Sequence, residues 1–86
     1  MNVVLNYENL LHRKQAHLYL AEMLSFPEYY GKNLDALYDC LTELYDCTIV
    51  LEGEEALLQA GGYGVKVLRV LKEAALENPG LSLISR

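Results

Sequence analysis

Apolar positions along this chain change period several times, and the changes mark its elements. NVVLN (Asn2 to Asn6) is short and β-branched and is followed by a polar YEN turn, which predicts a strand. From Arg13 to Leu24 the apolar positions Ala16, Leu20, Met23 and Leu24 recur at helical spacing, and Pro27 requires a stop nearby. Phe26 to Lys32 is then a loop. Asn33 is placed to cap a second helix running to about Tyr45, with Leu34, Leu37, Leu41 and Leu44 as its buried seam. CTIVLE (Cys47 to Glu52) is a near-continuous apolar run of strand length, the pattern of a central strand covered on both faces. EEALLQA predicts a short helix ended by Gly61 and Gly62. Val65, Leu68, Leu71 and Ala75 mark a last helix from about Tyr63 to Glu77, broken by Asn78, Pro79 and Gly80, before a closing strand, LSLIS. Strands alternating with helices predict an α/β fold: one domain over residues 1–86, a three-stranded parallel sheet with crossover helices packed on it.

Composition agrees with a folded chain. Of the 86 residues, 52% are hydrophobic and 22% charged, inside the globular range. The formal charge of -5 changes the picture more, because binding phosphates needs clustered Lys and Arg. Nucleic acid and anionic membrane are therefore disfavoured as partners, and a basic protein is the natural complement. No apolar run approaches the ~18 residues of a membrane span. The stretch MNVVLNYENL lacks the charged and apolar regions of a signal peptide, so the expected location is cytoplasmic. Cys40 and Cys47 are too few for a disulfide scaffold and form no C-x-x-C pair. A bridge between them stays open as an alternative to the expected reading, a buried free thiol at Cys40.

The negative charge is segregated. Between Asn33 and Val65 stand seven acids, Asp35, Asp39, Glu43, Asp46, Glu52, Glu54 and Glu55, with no Lys, Arg or His among them. At 100° per residue Asp35, Asp39 and Glu43 share the side of the second helix opposite its leucine seam, with Tyr38 at the border. Like charges at i,i+4 repel, and only Asp35, in the first turn, is favoured by the helix dipole. A single such carboxylate is ordinarily a solvated surface group. Seven together point to a surface kept for a basic partner.

Catalysis finds less support. Paired carboxylates for glycoside hydrolysis need a cleft and one desolvated member, whereas these lie on a convex face. No calcium-loop pattern, phosphate loop, dinucleotide fingerprint or G-x-S-x-G occurs, and GGYG at 61–64 is a turn with a helix start. His12 and His17 are five apart, the wrong spacing to meet on a helix, and are expected singly at the surface. The sequence implies no enzyme, metal or cofactor. Among seven tyrosines, Tyr7, Tyr19, Tyr45 and Tyr63 are expected to pack with their hydroxyls toward water. Tyr29 and Tyr30 differ, lying in a loop beside Gly31 and the acidic helix start, where aromatics beside charges make binding hot spots. One of the pair is expected to pack inward and the other to be presented.

Together these residues resemble a known family. The run FPEYYGKNLDALYDCL (residues 26–41) is similar to LPEYYGxNLDALWDCL, a pattern of the barstar family of intracellular ribonuclease inhibitors. Looser similarity extends across the chain through the first strand, VLE, VLKEA and LSLIS in the same order. The resemblance implies a barstar-like fold and inhibition by plugging an active site that normally holds RNA phosphates. Its partner would be a basic secreted ribonuclease, or failing that a similar basic toxin or another basic protein, bound by a chain that is monomeric when free. Tyr29, Asn33, Leu34, Asp35, Tyr38 and Asp39 correspond to the inhibitory loop and helix, with Asp39 at the catalytic pocket; Gly31 would allow close approach there, and Tyr30 is a further candidate contact residue. Glu73, in VLKEA, corresponds to a further acidic contact, and Glu77 is a candidate one turn later. Arg69, four residues before Glu73, could neutralise it. The chain departs from the pattern at Tyr38, where a tryptophan is common, at Glu43 and Leu44, which replace a small residue and an aromatic, and in a shorter segment between Gly53 and Gly64.

Overall fold

A computed structural model describes residues Met1–Arg86. Strand β1 (Asn2–Asn6) leads through a single 3-10 turn (Tyr7–Leu10) to helix α1 (Arg13–Met23) and, after a loop, to α2 (Leu34–Thr42). Strand β2 (Cys47–Glu52), helices α3 (Glu54–Ala60) and α4 (Tyr63–Glu77) and strand β3 (Leu81–Ser85) complete the chain. The three strands form one parallel sheet in the order β1-β2-β3, each crossover carrying two helices, as parallel neighbours require. No helix is long and apolar enough to cross a membrane.

Alternation along the strands sends Val3, Leu5, Ile49, Leu51 and Leu81 into one cluster of 18 buried residues with Leu20 of α1, Leu37 and Leu41 of α2, and Leu68 and Leu71 of α4. The opposite face corrects the expectation that β2 is covered on both sides. Val4, Val50 and Ile84 stand in register there, Val4 and Ile84 at 47% and 48% exposure, and Val50 lies outside the core cluster. Val50 is buried between two flanking side chains, so a short apolar run arises without a second helical layer.

Local signals explain the element ends. The polar turn after β1 is a 3-10 turn whose first amides are met by the Asn6 side chain, which accepts from Glu8 N–H at 2.9 Å. Gly53, at φ +89°, lies against the ring of Tyr7, where any Cβ would collide. Helix α2 stops at Thr42, three residues short of the expected Tyr45. The partner that fixes this end is distant in sequence: the Asn78 amide donates to the Leu41 carbonyl (3.0 Å), which also accepts from Leu44 N–H, and to the Leu44 carbonyl (2.6 Å), holding the chain as it leaves the helix. Beyond this cap Tyr45 projects outward at 85% exposure, so it does not pack as expected. Both cysteines are free, but it is Cys47 that is buried while Cys40 is only half-buried.

The expectation for His17 also fails. It is 1% exposed on the seam Ala16, Leu20, Leu24, and a buried imidazole is tolerated there because both ring nitrogens are satisfied. Nδ1 meets the Tyr30 hydroxyl and Nε2 the Tyr63 hydroxyl, each at 2.6 Å. Tyr63, expected to turn its hydroxyl only toward water, bonds it to the histidine, and the hydroxyl of Tyr19 accepts the Asn6 amide at 2.9 Å.

Candidate partner-binding site

The loop between α1 and α2 is held at both ends by residues with left-handed backbone, Ser25 (φ 55°) and Lys32 (φ 54°). Its two tyrosines divide their roles: Tyr29 is 89% exposed, while Tyr30 is 6% exposed and packs on Phe26 with ring centroids 4.9 Å apart. The buried ring therefore anchors the loop that presents its neighbour. Asn33 joins loop to helix. Its side-chain oxygen accepts from Ala36 N–H at 2.7 Å and its amide donates to Gly31 O at 3.3 Å, so one residue caps α2 and fixes the preceding turn. Gly31 packs close enough to both that an added Cβ would stand 3.2 Å from the Ala36 Cβ and 3.3 Å from the Asn33 amide.

With Leu37 and Leu41 fully buried, the opposite side of α2 carries Asp35, Asp39 and Glu43 into solvent. Two depressions adjoin this face. One, of about 580 Å³, lies between the loop and α2 and is lined by Phe26, Tyr29, Gly31, Asp39, Cys40 and Glu43 among others. The second, of about 380 Å³, lies between α2 and α4 and is lined by Leu34, Asp35, Tyr38, Asp39, Val70 and Glu73. Asp39 belongs to both. A cation placed in either depression meets this carboxylate, with an aromatic wall beside it to limit water. The Cys40 thiol records the local field: burial first, then Glu43 and Asp39, push its pKa up.

The seven acids do not form one field. Glu54 pairs with Lys72 at 3.4 Å and accepts from the Ser85 hydroxyl at 2.7 Å, the contacts that hold its carboxyl below the usual range, hydrogen bond first. Glu52 pairs with Arg86 at 3.7 Å. These cations lie outside residues 33–65, so a count within that window could not show the neutralisation. Asp35, Asp39, Glu43 and Glu73 enter no ion pair, and Arg69 leaves Glu73 free. Glu77 is exposed but lines neither depression. Val70, absent from the sequence reading, is found one helical turn before Glu73 on the same face of α4, a spacing that could have pointed to it.

Comparison with known proteins identifies the family. Residues 1–83 match the family model described as Barstar (barnase inhibitor). The chain belongs to the barstar family. It is also 43% identical over 75 residues to a Bacillus subtilis (strain 168) protein named "Putative ribonuclease inhibitor YrdF", covering 84% of this chain and 79% of that one. Barstar-family proteins are inhibitors and not enzymes. The family match spans both β1 and α4, so the loop, the acidic face of α2 and Glu73 all fall inside it.

Proposed function

We propose that this chain is an intracellular inhibitor of a basic, secreted, barnase-like ribonuclease, acting as a monomer that covers the enzyme's active site with residues 29–39 and Glu73. The observation that carries this reading is the position of Asp39, shared by two depressions and free of any ion pair. A ribonuclease holds RNA phosphates with Arg, Lys and His, and a carboxylate fixed on a helix can pair with several such groups at once. Tyr29 would close over one side of the contact and Tyr38 the other, lowering the local dielectric and strengthening the pairing. Tyr30, being buried, would contribute by holding the loop, with Gly31, Asn33, Leu34 and Asp35 at the contact and Glu77 at its margin. Such a protein would protect the cell that makes the enzyme.

The test is inhibition of RNA cleavage by a purified ribonuclease of this class, titrated to a one-to-one endpoint. If the free acids steer the approach, association slows steeply between low and ~0.5 M salt while dissociation changes much less, because screening acts mainly before contact. Stopped-flow mixing separates the two rates. A flat association rate would indicate a neutral interface fitted by shape. Salt-sensitive binding to a different basic protein, without ribonuclease inhibition, would transfer the same surface to that partner. Glu43 bears on this alternative, since it adds a second carboxylate to the depression beside Tyr29.

A further inference from the structure

The His17 cluster lies beneath the proposed inhibitory loop and has no part in the contact itself. Its imidazole joins three segments: α1, which carries it, the loop through Tyr30, and the start of α4 through Tyr63. The rings pack as well as bond, with centroids 5.8 Å and 5.5 Å from those of Tyr30 and Tyr63. We propose that His17 is a latch for the 26–32 loop: the neutral imidazole ties the loop to α4, and protonation of the ring releases it. As a control on inhibition this rests on the function proposed above; as a property of the free chain it stands alone.

Hydrogen-bond accounting gives the mechanism. A neutral imidazole has one donor nitrogen and one acceptor. Tyr30 is buried and its hydroxyl has Nδ1 as its single partner, so the phenol must donate to Nδ1 for its proton to be satisfied. Tyr63 is only half-buried, can give its proton to water, and accepts from Nε2–H. A second proton on the ring turns Nδ1 into a donor. The Tyr30 hydroxyl then faces another N–H and has no acceptor for its own proton, a cost of the kind that opens buried contacts.

The surroundings add to this. Arg13 and Lys14 from α1 and Lys32 from the loop line a depression of about 320 Å³ bordering the ring, Tyr63 is its neighbour from α4, and Cys40 of α2 lies near Tyr30. No carboxylate pairs with the imidazole. Burial first, and Arg13 second, lower the His17 pKa from its ordinary value of 6.5. The unfolded or opened chain therefore binds the proton more readily than the latched one. The stability that the neutral ring supplies is complete above about 6.5 and is lost as pH falls from there through the lowered value.

The test uses the free, isotopically labelled chain, so it needs no ribonuclease. Nitrogen NMR of His17 should show the Nε2–H tautomer at neutral pH and a titration below 6.5. Amide exchange at Tyr30, whose N–H donates to the Pro27 carbonyl within the loop, corrected for its intrinsic rate, should report a loop-opening constant that rises by up to about tenfold per unit fall in pH through that same titration. His17→Gln should remove this dependence. Where that variant does not fold, coincidence of the two midpoints in the unaltered chain decides the matter. Loop protection that stays flat while His17 titrates, or an Nδ1–H tautomer, would overturn the latch. A latch that works in a chain inhibiting no ribonuclease removes the proposed function and leaves the latch in place; a flat loop in an effective inhibitor does the reverse.

Discussion

Asp39→Ala is expected to weaken binding to the cognate ribonuclease by more than ~2 kcal/mol, whereas Glu55→Ala, at the exposed start of α3, should cost under ~0.5 kcal/mol at moderate salt. The difference follows from position, since both are exposed carboxylates on helices. Glu55 lines neither depression beside α2, while Asp39 lines both and would meet cations delivered on either side of the helix. The barnase–barstar pair is one of the systems from which that general hot-spot range is drawn, so the threshold describes hot spots at large and is no measurement on this chain. Calorimetry with both variants is the measurement. Equal small losses would mean that the acids act only as a diffuse field, and the plug would be wrong.

The same substitution should leave folding almost untouched. Asp39 repels Asp35 and Glu43 at i,i+4, which costs a few tenths of a kcal/mol each, and it has no salt-bridge partner in return. Asp39→Asn should therefore keep stability unchanged or raise it slightly, the mark of a residue held for binding at some expense to the free protein. A loss above ~1.5 kcal/mol on chemical denaturation would make Asp39 structural.

How much of this could be read from the chain depended on whether the cause was local. Asn33 was legible as a cap because its function is completed within three residues, at Ala36. The bounds of β2, α3, α4 and β3 follow from nearby Gly, Pro and periodicity, and all four are found where the pattern put them. The end of α2 was not legible, because the side chain that fixes it, Asn78, comes from the far end of α4. His17 was misplaced for a related reason. Its distance from His12 argued against a metal pair, which was sound, but the i+3 and i+7 spacing to Leu20 and Leu24 already placed it on the buried seam. Only its partners, Tyr30 and Tyr63, were beyond reach. The acids show the limit on the functional side. Their segregation along the chain was real, yet Lys72 and Arg86 fold back to pair with Glu54 and Glu52, and of the five acids left unpaired Asp35, Asp39 and Glu43 border the two depressions while Asp46 and Glu55 do not.

Leu37→Ala should behave in the opposite way to Asp39→Ala, although only two positions separate them. Two residues turn a helix by about 200°, so Leu37 faces the core, fully buried against the sheet side of the molecule, while Asp39 faces out. Removing the leucine loses its transfer energy and leaves a cavity, a cost of about 2–5 kcal/mol. In a domain of this size each kcal/mol shifts Tm by about 4–8 °C, so a fall of roughly 10 °C or more is expected. Every proposed contact residue remains, however, and a ligand that binds only the folded state restores stability by mass action. Well below the new Tm, Leu37→Ala should therefore still inhibit at a one-to-one endpoint, and saturating ribonuclease should raise its Tm. Thermal melts with and without enzyme, beside inhibition titrations, separate the two variants: one stable and unable to bind, the other unstable and able. Should Leu37→Ala lose affinity as heavily as Asp39→Ala at low temperature, the acidic face would not be a rigid surface but one whose shape depends on the exact packing beneath α2.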